Sequence, residues 1–427
     1  MEKQLEKLAL DGGKPARSKP LPPNYPGAVV MGEEEAAYAE RVIRAQSPFR
    51  FYGANPLGAV DALEERMMQD LGVPYALGVT SCTAALVVAL KALGIGYGDK
   101  VIVPAVTFLA TPGAVVCANA VPVFADVDES LNLDPSALER VIDDEVKAII
   151  TVPILGNPCD MDPILAVARK HGIPVIEDVA QSLGTSYRGK PAGTLGELGV
   201  YSFQMNKILT AGEGGAVVTR DAKLYERAAR YHDQGLVRPQ LKERFGLQPN
   251  EETDAFVGQN YRMSEVTGAI LVEQWNKLEG LIAAMKSSHR KLKRQLEERL
   301  PGIVFRSSPD EDGDIGSNLG LLLPTAEAAG RFMQAMAAEN ITAHTLYGGR
   351  PVYMVPQLFH QRTAEKDSFP FNAPFKNPIR YTEDMCPRAV DLIPRMVFVP
   401  ISPLLTDEDL EEVTEGIVKV YRSLRLA

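Results

Sequence analysis

Cysteine is scarce. The 427 residues hold four, Cys82, Cys117, Cys159 and Cys386, and none of their separations is the short spacing of a zinc or redox motif. A disulfide framework and a sulfur-ligated metal are therefore not expected, and a reducing cytoplasm is. Long apolar runs are missing as well. No segment offers ~18 uncharged apolar residues in a row, and the N-terminal MEKQLEKLALDGGKPARSKPLPP lacks the apolar core of a signal peptide. A soluble, cytoplasmic protein with no membrane partner is expected. Nor is there a basic excess: 45 Lys and Arg against 55 Asp and Glu give a formal net charge of −10. Nucleic acid and anionic membranes need concentrated basic surface, so neither is the expected partner. A phosphorylated ligand stays open, because the N–H groups at a helix N-terminus bind phosphate whatever the net charge.

What is present is ordinary for a globular chain, 45% hydrophobic and 23% charged. The length predicts a large domain and a smaller one. Residues 1–32, rich in Pro, Gly and Lys, read as an extended arm laid over a domain or a partner subunit. Residues 33–300 read as the large domain and 301–427 as a small C-terminal α/β domain. A first helix is predicted over Glu33 to Ala45. From Ala76, short β-branched runs (ALGVT, KVIVP, VPVFADV, VKAIITVPI, PVIEDV) alternate with helical stretches, the pattern of parallel βαβ units with right-handed crossovers. LGVYSFQ and GGAVVT have no helix between them, so an antiparallel or irregular part of the sheet is predicted there. A long helix is predicted from Ser264 to Leu300, stopped by Pro301-Gly302. Beyond it, GIVFR, NLGLLLP and VFVPI read as strands, Ala326 to Glu339 and Asp407 to Arg425 as helices, and Asp310 to Gly316 as a surface turn.

The chemistry rests on two strand ends. PVIEDVAQS puts Asp178 at the carboxyl end of a buried parallel strand, where open α/β sheets bind ligands. VYSFQMNKILTAGEGGAVVT puts Lys207 just after another strand, in a loop that ends in glycines. Alone, such a lysine is a solvated surface residue and such an aspartate a helix cap. Together they are what pyridoxal 5′-phosphate (PLP) chemistry needs: an amine for a Schiff base with the cofactor aldehyde, and a carboxylate that keeps the pyridine nitrogen protonated. At SCTAAL, Thr83 and the backbone around Cys82 begin a helix whose free N–H groups suit a phosphate. Gly212, Gly214 and Gly215 read as shaping the turn after the lysine.

The stretch EDVAQSLGTSYRGKPAGTLGELGVYSFQMNKILTAGEGGAVVT closely resembles the DegT/DnrJ/EryC1/StrS family of sugar aminotransferases, and the likeness runs from about Leu8 to the C-terminus. It implies the fold type I architecture of PLP-dependent transferases, a large, mostly parallel seven-stranded sheet sandwiched by helices plus a small C-terminal α/β domain. It also implies residue roles. Lys207 is then the Schiff-base residue and Asp178 the pyridinium partner. Ser202 contacts the phosphate with Cys82 and Thr83, Cys82 standing where the family usually has Gly. Phe108 stacks on the pyridine ring and Gln181 sits beside the phenolic oxygen. GQNYRMSE matches a segment whose asparagine, here Asn260, reaches the cofactor phosphate of a second subunit, which implies a homodimer. His232, His344 and Tyr347 are candidate walls of an acceptor pocket, and no metal is implied. The expected activity moves an amino group from glutamate or glutamine to a keto sugar or keto cyclitol. The rival readings are a PLP-dependent sugar lyase or dehydratase, whose members typically replace the lysine by histidine, and a non-catalytic PLP-binding regulator.

Overall fold

The structure, a computed structural model, describes residues 7–426; the first six residues of the predicted arm and Ala427 lie outside them. Eleven strands run in chain order as β1 Tyr75–Val79, β2 Lys100–Pro104, β3 Val121–Ala125, β4 Val146–Thr151, β5 Val175–Asp178, β6 Ser186–Tyr187, β7 Lys190–Pro191, β8 Leu198–Ser202, β9 Gly215–Thr219, β10 Asn318–Leu322 and β11 Met396–Pro400. Seven of them form one sheet in the order β1-β9-β8-β5-β4-β2-β3. β9 runs antiparallel to both of its neighbours, and the β8–β5–β4–β2–β3 pairings are parallel. This is the mostly parallel α/β sheet expected, with its irregular part at the two runs that no helix separates. β2, β8 and β9 are buried along their whole length. Helices cover both faces, which is why these strands read as continuous apolar runs rather than as alternating ones.

The connections place the functional edge. β1, β2, β5 and β8 share one direction, so their carboxyl ends lie along one rim, and β9, running the other way, begins there with Gly215. The helices Cys82–Ala92 and Ala110–Cys117 start at this rim. The long helix Glu265–Arg299 is capped by Ser264, whose Oγ accepts the Thr267 N–H at 3.1 Å, a contact worth about 1 kcal/mol. It packs against the helices Glu33–Arg44 and Ala59–Leu71 near its start and Asp407–Ser423 near its end.

The described part of the arm docks on its own chain. Arg17, fully buried, pairs with Asp409 at 2.8 Å and Glu412 at 2.7 Å. Glu339 accepts the N–H groups of Ala9 and Ala16. β10 and β11 form an antiparallel pair at NLGLLLP and VFVPI. GIVFR is no strand: it makes one bridge, Phe305 to Leu321, closed by Arg306 N–H to Gly320 O and Leu322 N–H to Val304 O, while the Arg306 side chain bonds to Ser130 O and Ile154 O across the fold. The turn 310–316 is exposed at Glu311 and Asp312 but carries Ile315 into the core, fully buried. Among the described residues no helix is long and apolar enough to cross a membrane.

Candidate active site

Successive side chains of a strand face opposite sides of the sheet, which separates the two acids of the EDVAQ segment. Glu177 turns to the glycine-rich stretch downstream and accepts the N–H groups of Gly193 (2.8 Å), Leu195 (2.7 Å) and Gly196 (2.8 Å). Asp178, 3% exposed, turns to the rim. Its Oδ2 accepts the Thr111 hydroxyl at 2.8 Å, and its Oδ1 accepts the Ala180 N–H at 3.2 Å and the Cys82 thiol at 3.8 Å. Thr111 Oγ1 lies 2.7 Å from Thr107 Oγ1, so a chain of hydroxyls fixes the carboxylate. Burial pushes the Asp178 pKa up, opposed by Thr111, the Ala180 N–H and the charge of Lys207. A buried carboxylate so placed is stabilised by a cationic or N–H partner at the rim.

Lys207 sits on the connection between β8 and β9, where its N–H donates to Gln204 O at 2.9 Å and its carbonyl accepts the Gly27 N–H at 3.3 Å. Burial lowers the pKa of its ammonium group, opposed by Cys82 and Asp178. Lys207 and Asp178 thus act on each other across the rim, and desolvation brings the lysine closer to the neutral amine that a nucleophile or base must be.

The helix Cys82–Ala92 opens beside them. Ser81 Oγ accepts the Ala84 N–H at 3.1 Å, while the N–H groups of Cys82 and Thr83 find no acceptor among the described residues. They are the free donors of a helix N-terminus, with the dipole behind them. Ser202, at the end of β8, lies one rung away, because Gly215 of β9 pairs with Val79 on one side and Ser202 on the other. A Cβ on Gly215 would come within 2.3 Å of Ser81 C and 2.6 Å of Cys82 N. Glycine there lets β9 run under the helix start, while Gly212 supplies the turn with a φ of 85°. Gly215→Ala should therefore displace the start of the helix, at about 1–3 kcal/mol as for overpacking elsewhere. Thermal melts together with cofactor retention check this; an unchanged melting temperature would contradict the crowding.

Phe108 is 60% exposed, unusual for so large an apolar side chain, and it borders a cleft of ≈ 350 Å³ shared with Tyr347 and the segment 350–356. Gln181 Nε2 donates to Tyr347 Oη at 3.0 Å. Burial holds the Tyr347 hydroxyl well above its usual pKa, so it stays protonated. Tyr347 takes a φ of 49°, a left-handed conformation unfavourable for a side chain of this size.

The remaining candidates separate. His232 does not line the cleft. It ends the helix Ala222–His232 with no exposed surface, its Nδ1 against Ala229 O and its ring beside Phe51. Burial, with Arg50 nearby, pushes its pKa down to about 3, so it stays neutral. His344 is partly buried and its backbone pairs with Phe398. Asn260 is exposed on a segment held between Asp233 and the end of β1. Asp233 anchors that segment through Arg262 and also pairs with Arg238. Sequence reasoning missed Thr111 and Thr107. Their spacing of four residues at the start of a helix, beside Phe108, was the available signal.

A model of the DegT/DnrJ/EryC1/StrS aminotransferase family matches residues 30–418, so the chain belongs to that family and is an aminotransferase. It is 30% identical to an L-glutamine:2-deoxy-scyllo-inosose aminotransferase of Streptoalloteichus tenebrarius, over 97% of each chain. It is 43% identical to GDP-perosamine synthase of Caulobacter vibrioides over 223 residues, 52% of this chain and 57% of that one. Among solved structures, 3-amino-5-hydroxybenzoic acid synthase superposes with a TM-score of 0.79 at 26% identity, covering 95% of this chain and all of the other. DesI, solved in the presence of its TDP-sugar product, superposes with a TM-score of 0.76 at 26% identity, covering 98% and 97%.

Proposed function

We propose that this chain is a PLP-dependent aminotransferase that moves an amino group from glutamine or glutamate to a keto cyclitol or keto sugar. The observation that carries the reading is the pairing of a buried, hydroxyl-anchored Asp178 with a desolvated Lys207, beside a helix start with unused N–H groups. That donor set suits a phosphorylated heteroaromatic aldehyde: a carboxylate for a ring nitrogen, an amine for an aldehyde, N–H groups for a phosphate. Bound there, PLP would supply an aldehyde carbon and an electron-withdrawing ring that lets the donor's α-proton leave. Lys207 would hold the cofactor at rest, then move the proton between the donor's α-carbon and the cofactor's C4′. Asp178 would keep the ring nitrogen protonated. The Cys82 and Thr83 N–H groups with Ser202 would hold the phosphate, Phe108 would cover a ring face, and Gln181, oriented by Tyr347, would sit beside the phenolic oxygen.

A cyclitol ketone is placed first among acceptors because the relative named for one is matched over almost its whole length, whereas the perosamine synthase is matched over about half. The cleft between Phe108 and Tyr347 is the acceptor's entrance on this reading. The test is an acceptor screen with glutamine labelled at the α-amino nitrogen. Label in an amino cyclitol or amino sugar supports the proposal; water loss or deamination without transfer would establish the lyase instead.

A homodimer with shared sites belongs to the same proposal. Asn260 is exposed on the single chain, and a cofactor phosphate benefits from donors on both copies of a C₂ pair. Asn260→Ala should weaken PLP retention several-fold and lower the melting temperature of the holoenzyme by linkage while sparing that of the apoprotein. A fully active monomer in sedimentation at assay concentration would refute the shared site.

A further inference from the structure

Away from Asp178 and Lys207, a second cleft of ≈ 270 Å³ opens between the later turns of the helix Glu265–Arg299 and the segment 305–320. The segment 154–157 lies between the two sites: Gly156 N–H donates to Ser182 Oγ at 2.9 Å, and Asn157 Nδ2 to Ser307 O at 2.8 Å. Arg306 forms part of the cleft wall. Its Nε donates to Ser130 O at 2.7 Å and its Nη2 to Ile154 O at 2.6 Å, and its guanidinium stands 5.5 Å from the centre of the Phe398 ring. Among the described residues its Nη1 has no acceptor, and no carboxylate pairs with it. Burial pushes its pKa down to about 10, opposed by the charge of Asp314, which lies near without forming an ion pair with it.

The neighbours divide into spent and unspent charges. Glu311 and Asp312 are taken by Lys293 (2.7 Å) and Arg290 (2.8 Å). Among the described residues Lys286 donates only to the Asp312 carbonyl, at 2.7 Å. On the other side, Asp314 accepts the Gly316 N–H at 2.7 Å and acts on Arg306, Lys286 and His289 through its charge, but forms no direct ion pair among the described residues, and Asn157, 1% exposed, has an Oδ1 without a hydrogen-bond partner. Unspent cations thus share the wall with unspent acceptors.

We propose that this cleft binds a small hydroxylated oxyanion, the oxyanion seated on Arg306 and Lys286 and the hydroxyls on Asn157 Oδ1 and Asp314. Arginine suits the first contact because its planar fork matches an oxyanion and cannot lose its charge. The acceptors explain why a bare anion is the poorer ligand: it leaves Asn157 Oδ1 unpaired and faces Asp314 without a donor between them.

The test uses PLP-saturated protein, so that the cofactor's own phosphate donors are occupied, and titrates it calorimetrically with glycerol 3-phosphate, glycerate and inorganic phosphate. Glycerol 3-phosphate or glycerate should bind at one site per chain, tighter than inorganic phosphate, and whichever binds tighter tells a phosphate ligand from a carboxylate one. Arg306→Gln should weaken that binding by about tenfold or more. Because Arg306 also ties loops together, the exposed Arg294 on the cleft rim gives a second variant: Arg294→Glu should fold normally and weaken binding several-fold. Affinity unchanged in Arg294→Glu and in any folded Arg306→Gln, or no binding to wild type, would each overturn the proposal.

Discussion

Lys207→Ala should give a folded protein that retains less PLP, loses the yellow colour of the resting enzyme and turns over no acceptor. Proton transfer by a positioned side chain alone accounts for roughly 10²–10⁴ in rate, and the variant also loses the covalent hold on the cofactor, so activity should fall below detection. The turn itself should survive, because Lys207 contributes to it through backbone groups, its N–H to Gln204 and its carbonyl to Gly27. Borohydride reduction of the wild type should fix the cofactor to the peptide FQMNKILTAGEGG and to no other. Lys207→Arg should be nearly as inactive, since a guanidinium stays protonated and is no nucleophile. An unchanged spectrum in Lys207→Ala, or reduced cofactor found on another lysine, would return Lys207 to the status of a loop residue.

The framework of the rim was legible because each part of it has a local signature. A strand ending in Glu-Asp, a helix opened by Ser81 and a glycine run after a lysine are short-range features, and parallel connectivity brings them to one edge without further information. Long-range packing was harder to read. GIVFR has strand composition, yet Pro301 precedes it, its own first residue Gly302 continues the turn, and the Arg306 side chain crosses to Ser130 O and Ile154 O; only Phe305 bridges to β10. His232 read as a candidate wall of the acceptor pocket, but it closes an amphipathic helix whose apolar face carries it inward. The link between Gln181 and Tyr347 joins residues 166 apart in sequence, and no periodicity encodes such a contact. Thr111 lies between these cases: its spacing from Thr107 was visible, whereas its bond to Asp178 depends on how β2 and β5 are placed in the sheet.

That bond bears on the second large effect, expected from Asp178→Asn. The amide keeps the shape and can still accept from Thr111, but it carries no charge to hold a proton at the pyridine nitrogen. An opposite charge within hydrogen-bond distance shifts a pKa by about 1–3 units, and the ring nitrogen's pKa should fall by that order. Burial acts in the same direction. Asp178 is already desolvated, so its charge is little screened at the rim and its removal is felt in full. Loss of one such preorganised electrostatic contact elsewhere costs ~10²–10³ in rate, and the half-reaction with glutamine should slow at least that much while PLP still binds. Thr111→Val offers a graded comparison, since it keeps the carboxylate but removes one donor that orients it. Single-turnover measurements with glutamine should rank wild type above Thr111→Val and Thr111→Val above Asp178→Asn. A rate near wild type in Asp178→Asn, with the cofactor bound, would mean that the ring nitrogen takes its proton from another group and that Asp178 serves only to anchor the helix that carries Thr111.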